Sequence, residues 1–159
     1  MMNIRNKLIV NDKTSYGENS QAHSLEIYKL YTQMADNISA RRQSANSFLL
    51  TANIAIIAFV GYVGENPGNF IVSLSGMALC FIWYRIIRSY KDLNSGKFKV
   101  IHEIEKELPL SPYDAEWEAL GRGKDSKRYL PFTNIEIWVP GIFGILHALG
   151  AFIKTFVDI

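Results

Sequence analysis

Apolar and polar positions along this chain are sorted into long blocks rather than mixed residue by residue. Ser44 to Gly64 holds no charged residue, and neither does Gly68 to Tyr84. Each block approaches the ~20 residues that a helix needs to cross about 30 Å of hydrocarbon. Helices buried in a soluble core usually keep a polar face, and these blocks do not. The pattern therefore predicts transmembrane helices over 44–64 and 70–87. The link "GENPGN" between them contains Gly64, Pro67 and Gly68, residues of tight turns, and predicts a hairpin with its tip at 65–69.

The flanking segments read as helical extensions. Residues 1–20 are polar with little periodicity; they carry no secretory signal and are expected to form a mobile tail. From Gln21 the spacing of Ile27, Tyr31, Met34 and Ile38 predicts an amphipathic helix over 21–43 that runs into the first span without a break. The second span continues through a heptad-like seam of Ile87, Tyr90, Asn94, Ile101, Ile104 and Leu108 that must stop at Pro109, with a bend expected at Gly96. The rest of 88–132 reads as a cytoplasmic connector with one short helix near Asp114 to Leu120. The segment 133–157 opens with Thr133 and Glu136 in capping-box spacing and is then apolar from Ile137 to Ile153 except for His147. Pro140 predicts a kink, and Gly141, Gly144, Ala148 and Ala151 allow close helix contact. A third membrane helix fits, with Trp138 and Lys154 at the two interfaces; a buried or interfacial helix is the alternative. The fold class is thus an all-α membrane protein, a transmembrane hairpin with long cytoplasmic helical extensions and a third C-terminal membrane helix.

Charge gives this plan an orientation. Arg5, Lys7, Lys13, Lys29, Arg41 and Arg42 precede the hairpin, Arg85, Arg88 and Lys91 follow it, and its tip has no Lys or Arg. The positive-inside rule places both flanks and the amino terminus in the cytoplasm, and the tip on the outer side of the membrane. Arg41, Arg42, Arg85 and Arg88 are expected at the membrane interface, where they would meet lipid headgroups. A net charge of +2 gives no basic field for nucleic acid. The single cysteine, Cys80, excludes an internal disulfide and reads as a packed thiol.

Candidate chemistry is sparse. His102, Glu103, Glu105 and Glu107 crowd together, but on a helix they point in several directions, so a solvated, charge-laced face is expected rather than a metal site. His23 and His147 lack a partner motif, and no P-loop, GxSxG elbow or paired-cysteine motif is present. No catalytic residue, cofactor or metal is expected. The informative polar residues lie within the membrane blocks. Asn46 and Asn53 are seven apart on one stripe, and Ser73, Gly76 and Cys80 follow at helical spacing in the second span. An unsatisfied amide in hydrocarbon is unfavourable, and two helices hide it poorly. Self-association is therefore expected, with Asn46 and Asn53 at subunit contacts or along a lumen. Ile101 and Ile104 are expected at the same oligomer interface, because the second helix has more apolar edge than one subunit covers.

The stretches "YKLYTQMADNISARRQSANSFLLTANIAI", "WYRIIRSYKDLNSGKFKVIHEIEKELPLSPYDAEW" and "TNIEIWVPGIF" resemble the RipA family of small bacterial membrane proteins, over roughly residues 26 to 150. The resemblance implies an octameric inner-membrane protein associated with bacterial growth inside host cells, and brings no catalytic residues. Taken together, the expected function is a non-enzymatic scaffold or sensor, self-assembled in membrane lipid and open to an unknown cytoplasmic protein partner. An oligomeric pore, including a membrane effector of a bacterial conflict system, is the alternative. A membrane-bound enzyme or its accessory subunit is the third class.

Overall fold

The computed structural model describes residues 4–9, 17–64, 66 and 68–156, and these contain helices and turns but no strand. In chain order the helices are α1 (Ile4–Leu8), α2 (Ser20–Val63), α3 (Gly68–Glu105), α4 (Pro112–Ala119), α5 (Phe132–Glu136) and α6 (Trp138–Phe156). A single 3-10 turn, Gly121–Gly123, follows α4. Three helical stretches are long and apolar enough to cross a membrane: Ser20–Val63, Gly68–Glu105 and Phe132–Phe152.

The boundaries have local causes. No Gly or Pro interrupts α2 before Gly61, and the helix stops one residue before Gly64, whose φ of +67° is the left-handed conformation that commonly closes a helix. Gly96 lies inside α3, which continues past it to Glu105. The expected stops at prolines act four residues upstream. Proline has no N–H for the carbonyl at i−4 and its ring crowds that carbonyl; α3 ends at Glu105, four before Pro109, and α5 ends at Glu136, four before Pro140. Pro140 then sits in the first turn of α6, where its fixed φ is compatible with a helix. So the kink expected at Pro140 is a break at Ile137.

One local expectation is corrected, and another falls largely outside the described residues. The amino-terminal tail includes α1, whose Arg5 donates to Glu107 at 2.8 Å; residues 1–3 and 10–16 lie outside the described residues. Thr133 and Glu136 do not form a capping box: Pro131 is the N-cap of α5, and no side chain caps it. Both side chains are instead used in tertiary bonds. The hairpin tip is described at Asn66, whose Oδ1 accepts from the Gly68 amide at 2.8 Å; Glu65 and Pro67 lie outside the described residues, as does the Lys154 side chain.

The chain divides into two compact units, one of 41–91 with 131–159 and one of 1–40 with 92–130. The first has a core of Leu49, Trp83 and Ile87, packed by Leu79, Ile86, Ile137, Val139 and Phe143. Its outside is apolar: Phe48, Phe59, Tyr62, Phe81, Ile145 and Phe152 are each more than half exposed. Such a surface is unfavourable in water and natural in hydrocarbon. In the second unit Ala35, Ile38, Ile101 and Ile104 are buried. This corrects the expected role of Ile101 and Ile104. At 0% and 7% exposure within one subunit, they have no surface left for a neighbour.

Candidate functional site

Within the membrane unit, α2 presents one residue per turn to the other two helices, and the polar ones form a ladder. At its start, Arg42 Nη1 donates to Thr133 Oγ1 at 3.3 Å, and Arg42 Nε lies 3.6 Å from Glu136 Oε2. One turn on, Asn46 Nδ2 donates to Glu136 Oε1 at 3.1 Å while Asn46 Oδ1 accepts from Trp83 Nε1 at 2.8 Å. The carboxylate of Glu136 is thus held between α2 side chains, with its Oε2 buried and lacking a hydrogen-bond donor among the described residues. Arg42 therefore turns inward, correcting its expected place among the headgroups, whereas Arg41, Arg85 and Arg88 are exposed.

Two turns further on, Asn53 is fully buried. Its Nδ2 donates to the Leu49 carbonyl at 2.8 Å, and its Oδ1 accepts from Cys80 Sγ at 3.1 Å. His147 Nε2 lies 3.1 Å from the same oxygen. An amide oxygen can only accept, so this geometry requires His147 to carry a proton on Nε2. The histidine ring packs on bare backbone: a Cβ at Gly76 would fall 2.6 Å from both of its ring nitrogens. Ser73 is buried one turn before, close to Gly150. The small residues at 73, 76 and 150 thus leave room for the one large polar ring in the third segment.

This arrangement corrects the reasoning that two helices cannot hide Asn53, because a third helix of the same chain does so. Asn46 and Asn53 both bond inside their own subunit, Asn53 fully buried and Asn46 half-buried. Cys80 and His147 point at one shared acceptor, not at each other, and form no nucleophile–base pair.

The other unit contains a second buried polar centre, at Glu105. This side chain is fully buried, which corrects the expectation of a solvated acidic face. Its Oε1 accepts from Tyr28 Oη at 3.0 Å and from the Tyr113 amide at 2.9 Å; its Oε2 accepts from the Asp114 amide at 3.1 Å and lies 3.2 Å from His102 Nδ1. The carboxylate caps the start of α4, where Ser111 makes no side-chain cap of its own. An anion is favoured there by the unpaired amides and the helix dipole. Burial and the Glu105 carboxylate together push the Tyr28 phenol up to about 12. Burial and nearby carboxylates, led by Asp36, also raise Tyr113. Rings of Tyr28 and Phe98 pack edge-on against Tyr113 at 6.3 and 5.5 Å, enclosing the site. The signal was present in the sequence: Glu105 lies four residues after Ile101 on the buried stripe of α3.

Beside it, a cleft of about 400 Å³ is lined by Lys99, His102, Lys106, Ser111, Asp114 and Arg122. Its charges are largely spent locally, Lys106 on Glu103 at 2.6 Å and Arg122 on Asp114 at 3.3 Å and Glu118 at 2.5 Å. Those carboxylates raise the Arg122 guanidinium further above its ordinary value. Among the described residues no group of three His, Cys, Asp or Glu side chains is placed to hold a metal.

A family model described as the octameric membrane protein family (8xMP) matches residues 25–156 of this chain. No curated protein and no solved structure matches it.

Proposed function

The chain belongs to this octameric membrane protein family, and from that premise we propose that it is a non-enzymatic scaffold or sensor of the bacterial cytoplasmic membrane. It assembles as a homo-octameric ring with its amino terminus in the cytoplasm and offers its 1–40 and 92–130 unit to a protein partner. The observation that carries this reading is the closure of the polar ladder inside one subunit. A water-filled lumen lined by this stripe needs its polar side chains left open to water. Asn46 and Asn53, the best candidates for such a lining, already hold Glu136, Trp83, Cys80 and His147. The same closure supports a structural role for Cys80 and His147 over a catalytic one. Basic residues on both flanks support the orientation, and the exposed Arg41, Arg85 and Arg88 are suited to anionic headgroups. The resemblance in sequence extends the proposal to bacterial adaptation during growth inside host cells.

Reconstitution into proteoliposomes tests the central claim, with native mass spectrometry counting the subunits. The expected result is an octamer that leaves ion flux at the level of empty vesicles. Flux that disappears on Asn53→Leu would reject the scaffold in favour of the channel. Orientation is tested in a Cys80→Ser background: a cysteine at Asn66 should react with an impermeant thiol reagent in spheroplasts, and one at Asn94 should not.

A further inference from the structure

Burial of Ile101 and Ile104 within one subunit leaves open which residues outside the membrane meet a neighbour. In its 20–40 stretch, α2 has two adjacent apolar faces. One packs on its own subunit: Tyr28 reaches Glu105, Lys97 Nζ sits 5.0 Å above the Tyr31 ring, and Ala35 and Ile38 are buried. The other consists of Ile27, Leu30 and Met34, which are 47%, 55% and 39% exposed. Their i, i+3, i+7 spacing makes one continuous stripe, each residue directly preceding a core position at 28, 31 or 35.

Lipid cannot cover this stripe. Glu26, Lys29, Asp36, Arg41 and Arg42 are interspersed with it or follow it before the uncharged run begins, and such a density of charge belongs outside hydrocarbon. A half-exposed Ile, Leu and Met in line is therefore a water-facing apolar surface, unlike Phe48 or Phe59, which lipid tails can solvate. On α3 one large apolar side chain, Leu93, is 53% exposed and lies beyond Arg85, Arg88 and Lys91. A ring of identical subunits is built from heterologous contacts, each joining two different surfaces of the same chain. Burial outside lipid also gains the hydrophobic term that helix packing within a bilayer lacks.

We infer that the stripe of Ile27, Leu30 and Met34 is the seam on which a second copy of this chain docks, through a surface that includes its Leu93. The inference rests on the octameric reading and names the contact that closes it. Two measurements decide it. In native mass spectrometry from mild detergent, Ile27→Asp with Leu30→Asp should convert the octamer to smaller species with helicity by circular dichroism unchanged. Lys29→Asp, at an exposed position on the far side of the helix from the stripe, should keep the octamer. In an otherwise native chain, a benzoylphenylalanine at Leu30 should give a covalent dimer whose crosslinked peptide contains Leu93; this second measurement does not depend on the double variant folding. An octamer that survives the double substitution, or a crosslink to another protein, overturns the seam and leaves the octameric reading standing. A monomeric wild type overturns both.

Discussion

The two units solve the same problem beneath different surfaces. Each buries a polar side chain completely, Asn53 in one and Glu105 in the other, and each surrounds it with donors from elsewhere in the chain. In the unit of 41–91 and 131–159 the buried groups are an amide, a thiol, an imidazole and a serine hydroxyl. The carboxylate of Glu136 is kept where the ladder begins, beside Arg42. In the other unit the buried group is itself a carboxylate, held by two backbone amides, a phenol and an imidazole. Outer surfaces differ as well: phenylalanines and isoleucines surround the unit of Asn53, while that of Glu105 carries paired charges beside its apolar stripe. The lesson concerns reference states. An amide that loses its partner within a lipid-embedded bundle can find another polar helix group, so each such bond stabilises modestly. A buried carboxylate that loses its donors has no comparable refuge short of unfolding into water.

This contrast orders the expected effects. Glu105→Ala leaves the Tyr28 hydroxyl and two α4 amides without their acceptor and should destabilise its unit by on the order of 3 kcal/mol. Hydrogen exchange is the measure, with the 112–119 peptide losing protection while the 70–87 peptide keeps it. Equal loss in both peptides would show that the units do not respond separately. Gly76→Ala should rank next, at about 2 kcal/mol, since a Cβ 2.6 Å from both ring nitrogens of His147 forces a buried ring to move. Reversible unfolding in mixed micelles would measure it, and His147→Ala should restore most of the loss in the double variant. Asn53→Leu is expected to cost only about 1 kcal/mol in the same assay, the scale of interhelical hydrogen bonds in bilayers. A cost equal to that of Glu105→Ala would break the comparison outright.

A pH dependence belongs to the same cluster. Tyr28 has its phenol raised from 10.0 to about 12 by burial and by Glu105. Folding therefore favours the protonated phenol. The stability it contributes is fully present below pH 10 and falls as pH rises through 12. Unfolding measured across that window should show a steeper alkaline decline for wild type than for Tyr28→Phe, and parallel curves would remove Tyr28 from the Glu105 cluster.

The three apolar helical stretches and the proline-limited ends follow from the sequence alone, because they depend on local quantities: a run of seventeen or more residues without Asp, Glu, Lys or Arg, and a missing N–H. The interruption caused by Pro140 was legible too, since the rule names the carbonyl at i−4 and the helix ends at Glu136. The partners of Asn53 were not legible. His147 lies 94 residues away, and its approach depends on the bare backbone at Gly76, a fact about a crossing helix. Glu105 is the sharper case, because the charge on its side chain argues for solvent while its place on the α3 stripe argues for the core. Only the fold settles that conflict, by bringing the first amides of α4 to a carboxylate eight and nine residues earlier in the chain. Burial is a sum over neighbours distant in sequence; helix length and hydropathy are sums over neighbours adjacent in it.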